Sequence, residues 1–177
     1  MAKLQINNVD VITETGGVAT IASATKFPAG MIINYQSQIT TISAGQDLST
    51  TYAVVTGSSI SYTPPSSASY VMYEFNFISS GKDSRQIGHY KIQVDGTDID
   101  SSKHTIGQEV STGSGRGTSL NHIKHRLTTW SGAKTVRLMA REYSDSFEPI
   151  LHQQYQFDGT AGGAFYYDPT LIIFSVT

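Results

Sequence analysis

Between residues 70 and 78 apolar side chains take every second place. Val71, Tyr73, Phe75 and Phe77 share one face, while Glu74 and Asn76 share the other. A period of two marks a half-buried β-strand, because successive side chains in extended backbone point to opposite sides. Residues 135–143 repeat the pattern, with Val136, Leu138 and Ala140 predicted inward and Arg137, Met139 and Arg141 outward. In 86–94, Tyr90, Ile92 and Val94 oppose His89, Lys91 and Gln93, and the run enters Asp95-Gly96, a hairpin-turn dipeptide. The segment 170–176 is apolar on both faces, which predicts a central strand or one covered by a neighbouring subunit.

Shorter β-prone pieces fill 31–42, 51–55, 59–62 and 151–157, each bounded by Gly, Pro, Ser or Asp. Short strands with polar turns predict an all-β protein, an antiparallel β-sandwich or jelly roll. Residues 118–130 carry a competing signal, since Leu120, Ile123, Leu127 and Trp130 keep helical spacing behind a capping Thr118 or Ser119. A strand over 122–130 is the preferred reading, because Thr128-Thr129 resist helix and the neighbours are strands. Ser, Gly and Thr dominate 101–119, which predicts a long exposed loop. At the start, the β-prone pieces 4–12 and 18–22 flank Thr15-Gly16-Gly17 and precede the Phe27-Pro28-Ala29-Gly30 breaker. Residues 1–30 therefore read as an arm or hairpin ahead of a β-sandwich domain at 31–177.

The chain has 177 residues and a formal net charge of −2, with 15 % charged side chains, well below the roughly 25 % of an ordinary soluble domain. Ser and Thr, about a quarter of the sequence, supply the polar surface instead. No cysteine is present, which removes disulfides, thiol nucleophiles and Cys-based metal sites. No basic cluster is written along the chain, so nucleic acid is not an expected partner. No apolar run is long enough to cross a bilayer, and Met1-Ala2-Lys3-Leu4 lacks the core of a signal peptide, so membrane insertion is not expected either and synthesis in a cytoplasm is.

Three groups invite chemistry. His122-Ile123-Lys124-His125 pairs two imidazoles at a spacing that serves a metal on a helix but sends them to opposite faces on a strand. Asp95, Asp98 and Asp100 resemble an oxygen-rich calcium turn, against a plain hairpin with Asp98 and Asp100 as solvated edge charges. Glu142, Asp145 and Glu148 have the residue types of a glycosidase pair, yet they straddle a strand end and a loop where acidic side chains are ordinary surface. Gly113-Ser114-Gly115-Arg116-Gly117 lacks the ending of a phosphate loop. No catalytic, cofactor or metal residue is assigned on this basis. Exposed aromatics such as Trp130 and Tyr166-Tyr167 suit sugar- or protein-binding surfaces as well as cores.

The run Phe27-Pro28-Ala29-Gly30-Met31-Ile32-Ile33, then Thr50-Thr51-Tyr52, Ile60-Ser61-Tyr62-Thr63-Pro64 with Ser66-Ser67-Ala68-Ser69, Tyr90-Lys91-Ile92, Val94-Asp95-Gly96-Thr97-Asp98-Ile99, and the apolar strand after Asp168-Pro169 resembles bacteriophage virion proteins of marine and cyanobacterial phages. The resemblance implies a tail-fibre tip or a capsid-surface knob or decoration protein, with a short attachment region leading into a β-sandwich knob. It implies no catalytic residue and no cofactor. The partners it implies are further copies in a homotrimer, other virion proteins through the N-terminal arm, and host surface glycans. Only about thirty residues precede Met31, too few for a fibre shaft, which favours a capsid decoration located on the virion over a tail-fibre receptor-binding tip. A carbohydrate-binding module is the rival of another class.

Overall fold

The computed structural model describes residues 3–6, 9–15, 18–21, 28–81, 85–109, 117–155 and 164–177. Three short strands come first, β1 (Lys3–Ile6), β2 (Val9–Thr15) and β3 (Val18–Ile21), paired antiparallel in the order β1-β2-β3. The β-prone piece 4–12 is divided between β1 and β2, which runs on to Thr15, and the piece 18–22 holds β3.

The body begins with β4 (Ile32–Ile39), β5 (Gln46–Asp47), β6 (Ala53–Val54) and β7 (Ile60–Tyr62). Two long strands follow, β8 (Tyr70–Gly81) and β9 (Arg85–Val94), then β10 (Thr97–Asp98), a 3-10 turn at Asp100–Ser102, and β11 (His104–Glu109). The remainder comprises β12 (Thr118–Leu127), β13 (Lys134–Glu142), β14 (Pro149–Leu151), β15 (Gln153–Tyr155), β16 (Ala164–Tyr166) and β17 (Thr170–Val176).

Two antiparallel sheets pack face to face. In the first the order is β4-β17-β8-β12, with β14 and then β5 taking the place of β17 beside the far end of β8. In the second, β9 and β13 are central; β10 and β11 flank β9, and β6 and β7 flank β13. An antiparallel all-β sandwich is therefore what the alternation builds. The residues predicted inward on β8, β9 and β13 are those that meet: Val71, Tyr73, Phe75 and Phe77 pack against Tyr90, Ile92, Val136, Leu138 and Ala140, and Leu171 and Ile173 from β17 join them. Each large side chain buried here contributes about 1.5–3 kcal/mol. Tyr73 keeps its hydroxyl satisfied in this core by donating to Ser58 O at 2.7 Å, and burial pushes its phenol pKa up.

The turns obey local stereochemistry. Asp95 and Gly96 both adopt positive φ, 48° and 80°, the conformation a two-residue hairpin turn needs, and Asp95 Oδ1 also accepts from Thr135 N at 2.8 Å. Gly57, at φ 79°, lies where a Cβ would come within 2.9 Å of Thr40 and Pro169. The last residue is fastened to the start of the body: Gly30 N donates to Thr177 O at 2.8 Å and Thr177 N to Met31 O at 3.1 Å.

Four expectations need correction. The 101–119 stretch is not one long loop: it holds the 3-10 turn, β11 paired with β9 over its whole length, and the first residues of β12. Its small polar residues suffice because β11 is an edge strand, with one neighbour and little to bury. The strand expected at 122–130 runs instead from Thr118 to Leu127, because ten pairs with β8 fix its length; Thr128, Thr129 and Trp130 leave the sheet. Met139 faces outward as expected but is buried there rather than exposed. The segment 151–157 is broken at His152, whose φ of 64° separates β14 from β15; residues 156 and 157 lie outside the described residues.

Candidate functional site

The candidate site is a surface of the first sheet. Strand β17 is central between β4 and β8, so its inner side chains Leu171 and Ile173 are fully buried while Ile172 and Phe174 on the outer face are half-buried. The edge is β4, and there the apolar residues stand open: Ile39 is 69 % exposed, Tyr35 56 % and Ile32 54 %. Tyr35 stacks on Phe174, ring centroids 6.3 Å apart and planes at 21°, which joins the edge to the outer face of β17. Opposite Phe174 on β8 lies Met72, so the apolar row continues inward from the edge.

A bulge shapes this edge. The register between β4 and β17 shifts between Ile173 and Ser175, and Asn34 takes a positive φ of 51° there. Asn34 Nδ2 donates to Thr63 O at 2.9 Å, and Asn34 O accepts from the Tyr62 hydroxyl at 2.8 Å, so the bulge is held from the second sheet. Apart from this bulge, the eight-residue edge strand has neither charge nor proline to guard against strand addition.

The sequence left the C-terminal strand as either a central or an interface strand; it is central, and β4 carries the exposed apolar side chains. The signal was available, because no charged residue stands between Lys26 and Asp47.

The chemical groups singled out from sequence do not assemble. His122 and His125 sit on opposite faces of β12: His122 Nε2 lies 3.6 Å from the Glu74 carboxylate, and His125 Nε2 lies 3.2 Å from Ser101 Oγ. Asp98 is not a solvated edge charge, since it binds Lys91 Nζ at 2.5 Å and Gln93 Nε2 at 2.7 Å, and those bonds hold its carboxyl below the usual range. Asp100 is the solvated charge expected, exposed and paired with Lys103 at 2.5 Å. With Asp95 committed to Thr135, the three carboxylates each face a different partner. Glu142 is buried at the end of β13 rather than ordinary surface, while Asp145 is exposed. Among the described residues no three His, Asp or Glu side chains converge as a metal site. Of the Gly113–Gly117 run only Gly117 is among the described residues, and its carbonyl accepts from Gly81 N at 3.2 Å. The Asp158-Gly159 turn lies outside the described residues. Tyr166 and Tyr167 are exposed, and Trp130 is half-buried, its Nε1 donating to Tyr62 O at 3.1 Å.

One further grouping escaped the sequence. At the edge opposite β4, where β12 faces β10 and the 3-10 turn, cations distant in sequence line adjoining cavities. The first, about 330 Å³, includes Arg126, Trp130 and Lys134. The second, about 270 Å³, includes Lys103, His104 and Lys124. Lys124-His125-Arg126 is a short basic run on β12, but Lys103, His104 and Lys134 join it only in the folded chain.

Compared with known proteins, the chain matches no family model and no curated protein sequence.

Proposed function

We propose that this protein is a non-enzymatic structural protein of a bacteriophage virion, self-associating as a homotrimer and displayed on the capsid as a decoration or knob. The observation that carries the reading is the uncharged β4 edge, continuous through the Tyr35–Phe174 stack with the apolar outer face of β17. Symmetric interfaces deplete charge at their centres, and an apolar patch on a free monomer is otherwise a liability. A second copy of this chain is the occupant that fits, since the edge offers unpaired backbone groups as well as apolar side chains.

The strand order supports the same reading by analogy. Counting β6/β7 and β10/β11 as single strands and leaving aside the short β5 and β14–β16, the body has eight. The first sheet then reads first-eighth-third-sixth, and the second reads second-seventh-fourth-fifth. We read that order as a jelly roll, an architecture that recurs in viral capsid and lectin domains. Fold alone does not assign a function, so the weight rests on the edge. The arm at 1–30 is the segment proposed to contact other virion proteins.

Multi-angle light scattering on the purified chain tests the association. A trimer that becomes a monomer in Tyr35→Lys/Ile39→Lys, with unchanged circular dichroism, supports it; a wild-type monomer at every concentration overturns it. Immunogold labelling of intact particles tests the location. Signal over the head supports decoration, signal confined to the tail replaces it with a tail-fibre tip, and a particle without signal removes the virion assignment.

A further inference from the structure

We propose that the cavity between the end of β12 and the β9–β10 turn binds a carboxylated saccharide, with Arg126 and Lys134 meeting the acid group and Trp130 carrying the sugar ring. The site deepens the surface-display reading by naming what the exposed knob would hold, but it stands on other residues. It lies at the opposite edge of the first sheet from β4, so association through β4 leaves it open.

Four features bear on the ligand. The cavity holds about 330 Å³, the lower end of ordinary ligand sites and room for a short oligosaccharide. Its apolar lining comes from Val94, Ile99 and Leu127, and among the described residues no carboxylate lines it. The indole is set in place before any ligand arrives, since Trp130 Nε1 donates to Tyr62 O and its ring meets the Tyr62 ring edge-on, centroids 6.2 Å apart. A preset aromatic platform spares the cost of ordering it on binding. Arg126 is exposed and lies over the Tyr70 ring, 4.3 Å from its centroid, which leaves the edges of the guanidinium available for a bidentate carboxylate.

The combination selects among anions. An inorganic anion needs the two cations but not the indole or the apolar lining. A nucleic-acid strand needs a continuous cationic track, whereas in the adjoining cavity Lys124 is tied to Glu74 at 2.7 Å and Lys103 to Asp100. A neutral sugar needs the indole but not the cations. A saccharide with a carboxylate uses all of them, and the hydroxyls of Thr128 and Thr129 lie beside it.

Trp130 is the single tryptophan of the chain, so its emission reports on this cavity alone. The test is a fluorescence titration of the full chain with tetragalacturonate and with sialyllactose. The expected result is a saturable change with at least one of them, lost with the corresponding methyl ester. Affinity should fall at least tenfold in Lys134→Gln and in Arg126→Gln, with circular dichroism and melting unchanged. Three results would overturn the assignment: no saturable change with either acid sugar, an equal response to the esters, or a response reproduced by sodium sulfate or a single-stranded oligonucleotide at equal ionic strength. Because the trimer is read by light scattering and this site by Trp130, either can fail while the other stands.

Discussion

Tyr62 Oη lies 2.8 Å from Ser175 Oγ, a bond that crosses the sandwich from β7 in one sheet to β17 in the other. The same hydroxyl donates to Asn34 O, so its proton goes to the bulge and Ser175 is left as the donor to Tyr62. Ser175 is fully buried and loses its partner if the phenol oxygen is removed. Tyr62→Phe should therefore cost about 1–3 kcal/mol, more than an exposed hydrogen bond, because a buried donor is left unsatisfied. Urea unfolding gives the measurement, with a lower midpoint at an unchanged slope. The ring itself stays, so Trp130 keeps its edge-on neighbour and its emission maximum should not move. A midpoint equal to wild type would mean that water replaces the phenol oxygen at no cost.

His152 should make the fold acid-labile. Its side chain is fully buried, it packs edge-on against Phe75 and Phe77, and neither ring nitrogen has a hydrogen-bond partner. Burial lowers its pKa to about 4, and the nearby Thr56 backbone opposes part of that shift. In the unfolded chain the imidazole titrates near its ordinary value of 6.5. Above that pH both states are neutral and His152 adds no pH dependence. As pH falls from 6.5 towards 4 the unfolded state takes up the proton first, so stability drops, by up to about 3 kcal/mol once the folded state also protonates. Denaturant midpoints at several pH values between 7.5 and 4 should show that slope. His152→Asn, which tolerates the positive φ, should lower stability at pH 7.5 but flatten the slope; an undiminished slope would place the acid sensitivity elsewhere.

Most of the body was legible because its strands are half-buried and alternate cleanly. Val71 to Phe77 and Val136 to Ala140 declare a face at every second residue, and Asp95-Gly96 declares its own turn. Strand β11 was hidden for the opposite reason: His104 to Glu109 has one neighbouring strand and little core to fill, so composition made it look like a loop. Met139 sits on the outer face of its sheet and is covered there all the same. The edge at β4 and the cation-lined cavity are properties of assembly. Ile39 is exposed because β4 ends the sheet, and Arg126 and Lys134 become neighbours only when the residues after β12 fold back towards β13.

The Asp95-Gly96 turn should respond to substitution by conformation more than by size. A Cβ at Gly96 meets nothing within 4 Å, so Gly96→Ala should cost only the left-handed backbone, about 1–2 kcal/mol. Asp95→Asn keeps both the tolerance of positive φ and an oxygen for Thr135 N, and its midpoint should stay close to wild type. Asp95→Val loses both features and should cost more than either change. Equal midpoints for the Asn and Val variants would show that this turn does not hold the hairpin.

Concentration should set thermal stability if copies of the chain cover β4. A partner that binds only the folded state raises the midpoint by mass action, so the wild-type midpoint should climb as protein concentration rises a hundredfold. Ile39 is 69 % exposed in the single chain, so Ile39→Lys should change the stability of an isolated molecule by less than about 0.5 kcal/mol. In the assembly the same lysine would be placed in an apolar interface, where its ammonium has no partner and desolvation opposes association. The variant should therefore match wild type at the lowest concentration and fall progressively below it as concentration increases. A Lys variant that is already less stable in the dilute limit would mean that Ile39 supports its own sheet, and a wild-type midpoint flat across the range would mean that β4 stays uncovered.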